Sequence, residues 1–174
     1  REGDEIITCS LEHASILLPS YHLRESRGVV TRVLQLAPGE PHDSILSKVE
    51  AALTERTRMV FFSHIEYSTG LRMPVEGIRA LTKDRGIWML IDGAQAAGHI
   101  PLDLRAIDCD FYSIPGQKWL LGPDETGALY VRQSMIPEIQ PVDIGYDTAL
   151  EYDREGDYVP NRDNIEKLLV STAS

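Results

Sequence analysis

Short apolar runs alternate along the chain with stretches in which apolar residues recur at helical spacing. Strands are predicted at residues 5–8, 29–36, 57–63 and 87–91. The run at 87–91 is almost continuously apolar, as a central strand that is covered on both faces requires. Strands that alternate with amphipathic helices are typical of a mainly parallel sheet with helices on its faces. The pattern therefore predicts an α/β fold.

Helix boundaries and later strands follow from the same pattern. Helices are predicted at residues 15–27, ending at Gly28, at 45–53, capped by Asp43, and at 75–81, opened by Pro74 and ending at Gly86. Two further strands, 110–113 and 127–132, flank a loop rich in glycine and proline and are candidates for neighbouring strands. Residues 137–164 show neither helical nor strand periodicity and are predicted to form a long surface or interface loop.

Composition narrows the class of protein. The chain has 174 residues, of which 43% are hydrophobic and 25% charged, as in an ordinary globular domain. A net charge of -10 argues against a nucleic-acid partner, which would need clustered Lys and Arg. No apolar run approaches the roughly 20 residues that span a bilayer, so we expect a cytoplasmic protein without a membrane partner. Cys9 and Cys109 stand far apart in sequence, and we expect small core residues rather than a disulfide or metal site.

Polar residues that follow buried strands are the candidates for a site, because ligands of open α/β sheets bind beyond the carboxyl ends of the strands. Asp92 directly follows the run at 87–91. It is either a functional group at the mouth of the sheet or the cap of a helix that starts at Gly93, and its position favours neither. Gln95, one turn further on, could face the same space. His13 follows the first strand and could be a ring stacked on a planar ligand, a general base or a surface residue that precedes a helix; taken alone, its position favours the last.

Lys118 lies between two predicted strands in the segment Pro-Gly-Gln-Lys-Trp-Leu-Leu-Gly. A lysine amine among apolar groups can have its pKa lowered and attack carbonyl groups. Trp119, Leu120 and Leu121 would supply that apolar setting. Most lysines are simply solvated, however, so the residues by themselves predict a small-molecule site without identifying its chemistry.

A family resemblance adds to this picture. Asp92-Gly-Ala-Gln95, followed by Phe-Tyr-Ser-Ile-Pro-Gly-Gln-Lys-Trp at 111–119, resembles the class V aminotransferase family of fold-type I pyridoxal-phosphate enzymes, which includes cysteine desulfurases and isopenicillin N epimerase-like proteins. The resemblance extends over nearly the whole chain. It implies a three-layer α/β/α fold with a mainly parallel central sheet, and it implies that residues 1–174 are the cofactor-binding large domain of a longer protein, without its upstream phosphate loop and downstream small domain.

The resemblance also implies roles for four residues around pyridoxal 5'-phosphate. Lys118 would form the Schiff base, and Asp92 would pair with the pyridinium nitrogen and keep it protonated. Gln95 would donate a hydrogen bond to the phenolic oxygen, and the ring of His13 would stack on the cofactor. Lys118 would then also serve as the acid and base at the substrate's Cα.

Four positions, in three segments, depart from the family pattern. Many members have Ser-Gly-His-Lys where this chain has Pro115-Gly-Gln-Lys118, which leaves Gln117 and Ser113 as the candidates for phosphate contacts. Tyr67 stands where desulfurases have an asparagine near the phenolic oxygen. Glu125 replaces a common glycine in the turn after Pro123. The departures at Tyr67 and Glu125 weaken a desulfurase interpretation.

The function that the resemblance implies is a pyridoxal-phosphate-dependent enzyme that acts on an amino acid by transamination, epimerisation or C–S lysis. One alternative is a cysteine desulfurase, although neither Cys9 nor Cys109 matches the position of the desulfurase cysteine. Another is a non-catalytic homologue or an inactive fragment. A homodimer is also implied, with residues 136–158 at its interface.

Overall fold

The computed structural model describes residues 1–169 of the chain, which form two compact units, Arg1–Tyr130 and the described part of Val131–Ser174. Six strands make one sheet, namely β1 (Glu5–Cys9), β2 (Val30–Leu34), β3 (Thr57–Ser63), β4 (Trp88–Asp92), β5 (Phe111–Pro115) and β6 (Gly127–Val131). Their order is β2-β1-β3-β4-β5-β6, and every pair from β2 to β5 is parallel. The α/β prediction with a mainly parallel central sheet is confirmed, and β6 does lie beside β5.

The helices that connect these strands are α1 (Ala14–Arg27), α2 (His42–Ala52), α3 (Val75–Thr82) and the short α4 (Leu104–Ile107). Gly28 ends α1 in the left-handed conformation that glycine favours, with φ of 65°, as predicted. A 3-10 turn, Lys83–Arg85, extends α3 as far as Gly86. The prediction that Asp43 caps α2 is wrong, because α2 begins at His42 after an N-cap at Pro41, and Asp43 lies within the first turn.

The core lies between the sheet and two of these helices. Alternate side chains of the three central strands share one buried cluster with the inner faces of α2 and α3; its members include Ile7, Val60, Phe62, Met89, Ile91, Ile45, Val49, Val75 and Ile78. Cys9 and Cys109 belong to the same cluster and are free thiols with no exposed surface, which confirms the prediction of small core residues.

The second unit contains a hairpin that the sequence pattern did not predict. Strands β7 (Ala149–Tyr152) and β8 (Tyr158–Pro160) pair in antiparallel fashion within the segment that was expected to be a loop. Asp153 Oδ1 accepts the backbone N–H groups of residues 155–157 and forms the turn between them. Strands of three and four residues are too short to show a clear alternation, which explains the wrong prediction.

In the second unit, the buried amine of Lys167 joins two segments of the backbone. It donates hydrogen bonds to the backbone carbonyls of Ile136 and Arg162 at 2.5 and 2.6 Å. Within residues 1–169 no helix has the length and apolar character that crossing a bilayer requires.

Candidate active site

The carboxyl ends of three adjacent strands bring polar side chains side by side. Ser63 closes β3 and lies in register with Asp92, the last residue of β4, and Asp92 lies in register with Ser113 of β5. Parallel strands paired in this way present these residues on the same face of the sheet. A row of three polar groups therefore forms at the position where open α/β sheets bind ligands.

A cavity of about 470 Å³ opens above this row. All the residues that the sequence predicted for the site line it, from four different segments of the chain: His13, Tyr67, Asp92, Gln95, Ser113, Gln117 and Lys118. Its volume falls within the usual range of small-molecule sites, about 300–1,000 Å³. The structure thus brings the predicted residues together, whereas the role of each stays a prediction.

Asp92 lies at the mouth of the sheet and caps no helix. No helix follows it, because residues 94–96 form a turn. Its Oδ1 accepts the backbone N–H of Ala94 at 2.8 Å and the hydroxyl of Ser113 at 3.1 Å. Its Oδ2 makes no hydrogen bond within residues 1–169, so one carboxylate oxygen is held in place while the other is left for a ligand. The hydroxyl of Ser113, predicted for a phosphate, is directed to Asp92.

Glycine is required at position 93 because the ring of Tyr112 lies directly against its Cα. A Cβ atom there would overlap Tyr112 Cε1 and would stand 2.6 Å from the carbonyl oxygen of Ser113. The ring is fixed in turn, because the Tyr112 hydroxyl forms a 2.9 Å hydrogen bond with Nδ1 of the buried His64. Burial raises the pKa of Tyr112 and lowers the pKa of His64, so both stay neutral.

His13 both caps a helix and lines the cavity. It is the N-cap residue of α1, where its Nδ1 accepts the backbone N–H of Ser15 at 3.2 Å. Its ring also lines the cavity and meets the ring of Tyr67 edge-on, with centroids 4.9 Å apart. The cap fixes the ring at the cavity wall, because the side chain has to stay bonded to the first turn of the helix.

Lys118 lies in the loop between β5 and β6, where glycines allow close backbone approaches. The Gly116 N–H donates to Thr126 O at 2.7 Å, and the Gly122 N–H donates to Gly116 O at 2.8 Å. The expected apolar setting is not observed in the described part of the chain: Trp119 and Leu120 are half exposed, and Leu121 is 89% exposed. Lys118 itself is exposed at the cavity.

A buried acidic cluster next to the cavity was missed by the sequence analysis. Carboxylate oxygens of Glu12 and Glu66 and the sulfur of Cys9 all lie within 4.8 Å of one another. Glu12 precedes His13 in the chain, and Glu66 precedes Tyr67, so both adjoin residues of the cavity wall. Charged residues at such positions normally indicate a solvated surface, and only their proximity to predicted site residues could have marked them.

Burial determines the protonation of this cluster. It raises the pKa of Glu66 to about 8, and the nearby charge of Glu12 adds to the effect. Burial also raises the pKa of Glu12, but two hydrogen bonds from Ser63 oppose this. The pKa of the Cys9 thiol is raised, again mainly by burial, so the sulfur carries its proton.

Comparison with known proteins identifies the family. The family profile described as aminotransferase class-V matches residues 1–161. The chain belongs to this family. The class V resemblance predicted from the sequence is therefore confirmed.

A relative and two solved structures illustrate the similarity. The chain is 38% identical, over 156 residues, to a protein of Methanothermobacter thermautotrophicus named as a probable cysteine desulfurase; the match covers 90% of this chain and 38% of the relative. The cystine C-S lyase C-DES, solved with its product cysteine persulfide, superimposes with a TM-score of 0.88 at 27% identity, covering 99% of this chain and 46% of that one. A C-DES mutant with glycine covalently linked to the PLP cofactor gives the same TM-score at 26% identity and the same two coverages.

The two solved structures confirm the fold predicted from the resemblance, that of fold-type I pyridoxal-phosphate enzymes. The chain spans less than half the length of the relative and of the two structures it was compared with. The prediction that residues 1–174 form one cofactor-binding large domain stays a prediction.

Proposed function

We propose that the full-length protein is a pyridoxal-phosphate-dependent enzyme that acts on an amino acid, with Lys118 as the residue that binds the cofactor's aldehyde. The observation that carries the proposal is that Asp92, at the end of β4, and Lys118, in the loop between β5 and β6, line one cavity at the carboxyl edge of the sheet. Membership of the class V family and the cofactor in the C-DES mutant support the same conclusion.

The residues of the cavity fit such a cofactor. Oδ2 of Asp92 makes no hydrogen bond within residues 1–169 and can accept one from a ligand. A carboxylate is the partner that a protonated ring nitrogen needs. The amine of Lys118 makes no ion pair within residues 1–169, so it is available at the cavity. When bound, the cofactor supplies an electron sink for the bond that breaks at the substrate's Cα.

The remaining roles belong to this chain's own side chains. Lys118 would take and return the proton at the substrate's Cα. The ring of His13, fixed by its capping bond, would cover one face of the cofactor, and Gln95 would donate a hydrogen bond to its phenolic oxygen. Tyr67 packs on the edge of the His13 ring, and Gln117 is the candidate contact for the phosphate. Ser113 orients Asp92 through the 3.1 Å bond.

A cysteine desulfurase is the second candidate, because the relative in Methanothermobacter thermautotrophicus is named as one and C-DES cleaves a C–S bond. Persulfide formation on the enzyme requires an accessible thiolate. Cys9 and Cys109 are both fully buried, so neither is suited to that role. A desulfurase activity would therefore depend on a cysteine that these 174 residues do not contain.

The proposal is tested by supplying the full-length protein with pyridoxal phosphate and then with single amino acids. Sulfide release from cysteine, keto-acid formation and inversion at Cα distinguish the three reactions. Lys118→Ala is expected to abolish the reaction, while Lys48→Ala, which replaces a partly buried lysine of α2 outside the cavity, is expected to leave it unchanged. A protein that binds no cofactor and turns over no amino acid would be a non-catalytic homologue.

We also propose that the full-length protein is a cytoplasmic homodimer. Exposed apolar side chains within 136–158, among them Val142 and Ile144, support an interface in that segment. The two free thiols fit a reducing compartment. Light scattering during size-exclusion chromatography tests the dimer, and a monomeric active protein would contradict it. Cell fractionation tests the location.

A further inference from the structure

The amide of Gln95 is held by an indole on the neighbouring loop. Trp119 donates its Nε1–H to Gln95 Oε1 at 2.8 Å. An indole nitrogen is only ever a donor, so the atom of the amide that faces Trp119 has to be the oxygen. The NH2 group is then the edge of the amide that points away from Trp119. Gln95 makes no other side-chain hydrogen bond within residues 1–169.

Two contacts hold the indole in place. The ring of His99 stacks on it, with centroids 4.2 Å apart and planes inclined by 17°. Nδ1 of His99 in turn lies 3.1 Å from the backbone oxygen of Gln95, so the stacking ring is tied to the same turn as the amide. These contacts restrict the rotation of Trp119 although about half of its surface is exposed.

A glycine lets the two loops approach so closely. Gly98 has φ of 84°, and a Cβ atom there would lie 2.8 Å from the backbone carbon and oxygen of Trp119. Any side chain at position 98 would push Trp119, and Lys118 beside it, away from the turn that carries Gln95. The close approach therefore links the position of the Lys118 loop to the orientation of the Gln95 amide.

We infer that Trp119 is a positioning residue. By holding the amide oxygen of Gln95, it presents the NH2 of Gln95 to an anionic oxygen of the bound cofactor. This inference rests on the proposed function. A free glutamine amide can turn either edge to a ligand, and its oxygen would repel an anionic oxygen. The indole N–H removes that second orientation before the ligand binds, and pre-organisation of this kind raises affinity without adding a contact.

Trp119→Phe tests the inference, since it removes the N–H and keeps a ring to stack on His99. In the full-length protein, titration with pyridoxal phosphate followed by absorbance gives the dissociation constant. A pH titration of the bound cofactor gives the chromophore midpoint, the pH at which its absorbance change is half complete. Loss of one hydrogen bond predicts a dissociation constant roughly three- to ten-fold higher. The chromophore midpoint should rise, because the anionic oxygen loses a fixed donor.

A double-mutant cycle separates positioning from a general structural effect. If Trp119 acts through Gln95, then Trp119→Phe combined with Gln95→Ala should bind the cofactor no more weakly than Gln95→Ala alone. Additive losses would overturn the inference, and so would a Trp119→Phe protein with the wild-type dissociation constant and midpoint. Trp88→Phe, at the start of β4 and outside the cavity, is the matched control and should match wild type.

An independent measurement does not depend on the folding of the Trp119 variant. Hydrogen exchange of the Trp119 indole N–H should become several-fold faster in Gln95→Ala than in wild type, because its acceptor is gone. An unchanged exchange rate would overturn the inference. A wild-type protein that binds no pyridoxal phosphate would overturn the proposed function as well, whereas normal wild-type binding with an unaffected Trp119→Phe variant would overturn this inference alone.

Discussion

Ser63 donates two hydrogen bonds to the carboxylate of Glu12, one from its backbone N–H at 2.8 Å and one from its hydroxyl at 2.6 Å. Both bonds stabilise the ionised form of Glu12. Glu66, the second carboxyl of the buried cluster, receives a bond from the Cys9 thiol at 3.4 Å. Two adjacent buried carboxyls cannot both carry a charge at low cost. Glu12 is therefore the charged member and Glu66 holds the proton.

This assignment predicts how stability depends on pH. The pKa of Glu66 is about 8 in the folded protein and about 4.5 in an unfolded chain. At pH values between these two, the folded state keeps a proton that the unfolded state has lost. The free energy of unfolding consequently falls as pH rises through this window. Glu66→Gln, which resembles the protonated acid, should remove that dependence, which is worth at most about 1.4 kcal/mol per pH unit.

Urea unfolding of wild type and Glu66→Gln at several values from about pH 5 to about pH 8 measures the difference in slope. Glu55→Gln, which replaces an exposed glutamate, is the control and should follow wild type. Parallel curves for wild type and Glu66→Gln would show that Glu66 is already ionised.

The contact between Gly93 and Tyr112 predicts a severe effect of a small substitution. Gly93→Ala should lower the free energy of unfolding by roughly 1–3 kcal/mol, because its methyl group overlaps a ring that is itself buried and hydrogen-bonded. In Gly77→Ala the new methyl would meet only the flexible end of Leu46, and the substitution suits the interior of α3. Thermal or urea unfolding compares the two; equal stabilities would contradict the packing described for Gly93.

The bond between Ser113 and Asp92 predicts a loss of cofactor affinity without a loss of fold. Ser113→Ala leaves Oδ1 of Asp92 with only the N–H of Ala94, so the carboxylate is less well oriented. We expect pyridoxal phosphate to bind roughly two- to ten-fold more weakly to the full-length protein, with an almost unchanged melting temperature. Ser26→Ala, on the exposed surface of α1, should change neither quantity. An unchanged affinity in Ser113→Ala would show that the hydroxyl does not position Asp92.

The sequence predicted well which residues lie at the ends of the strands. Asp92 was found because a buried strand has a distinct apolar pattern, and the residue after it has to lie at one edge of a parallel sheet. Lys118 was singled out by the family resemblance. The cluster of Glu12 and Glu66 was not predicted, since a carboxylate in a sequence indicates solvent and only tertiary packing buries it. The bond from Trp119 to Gln95 was missed for a related reason: it joins two irregular loops, for which no periodicity gives a distance.

Trapping the cofactor on the protein tests the central claim most directly. The full-length protein is incubated with pyridoxal phosphate, reduced with borohydride and digested, and the modified peptide is identified by mass spectrometry. The account predicts that the label lies on Lys118 and disappears in Lys118→Ala. A label on another lysine, such as Lys48 or Lys83, or its persistence in Lys118→Ala, would contradict the proposed site.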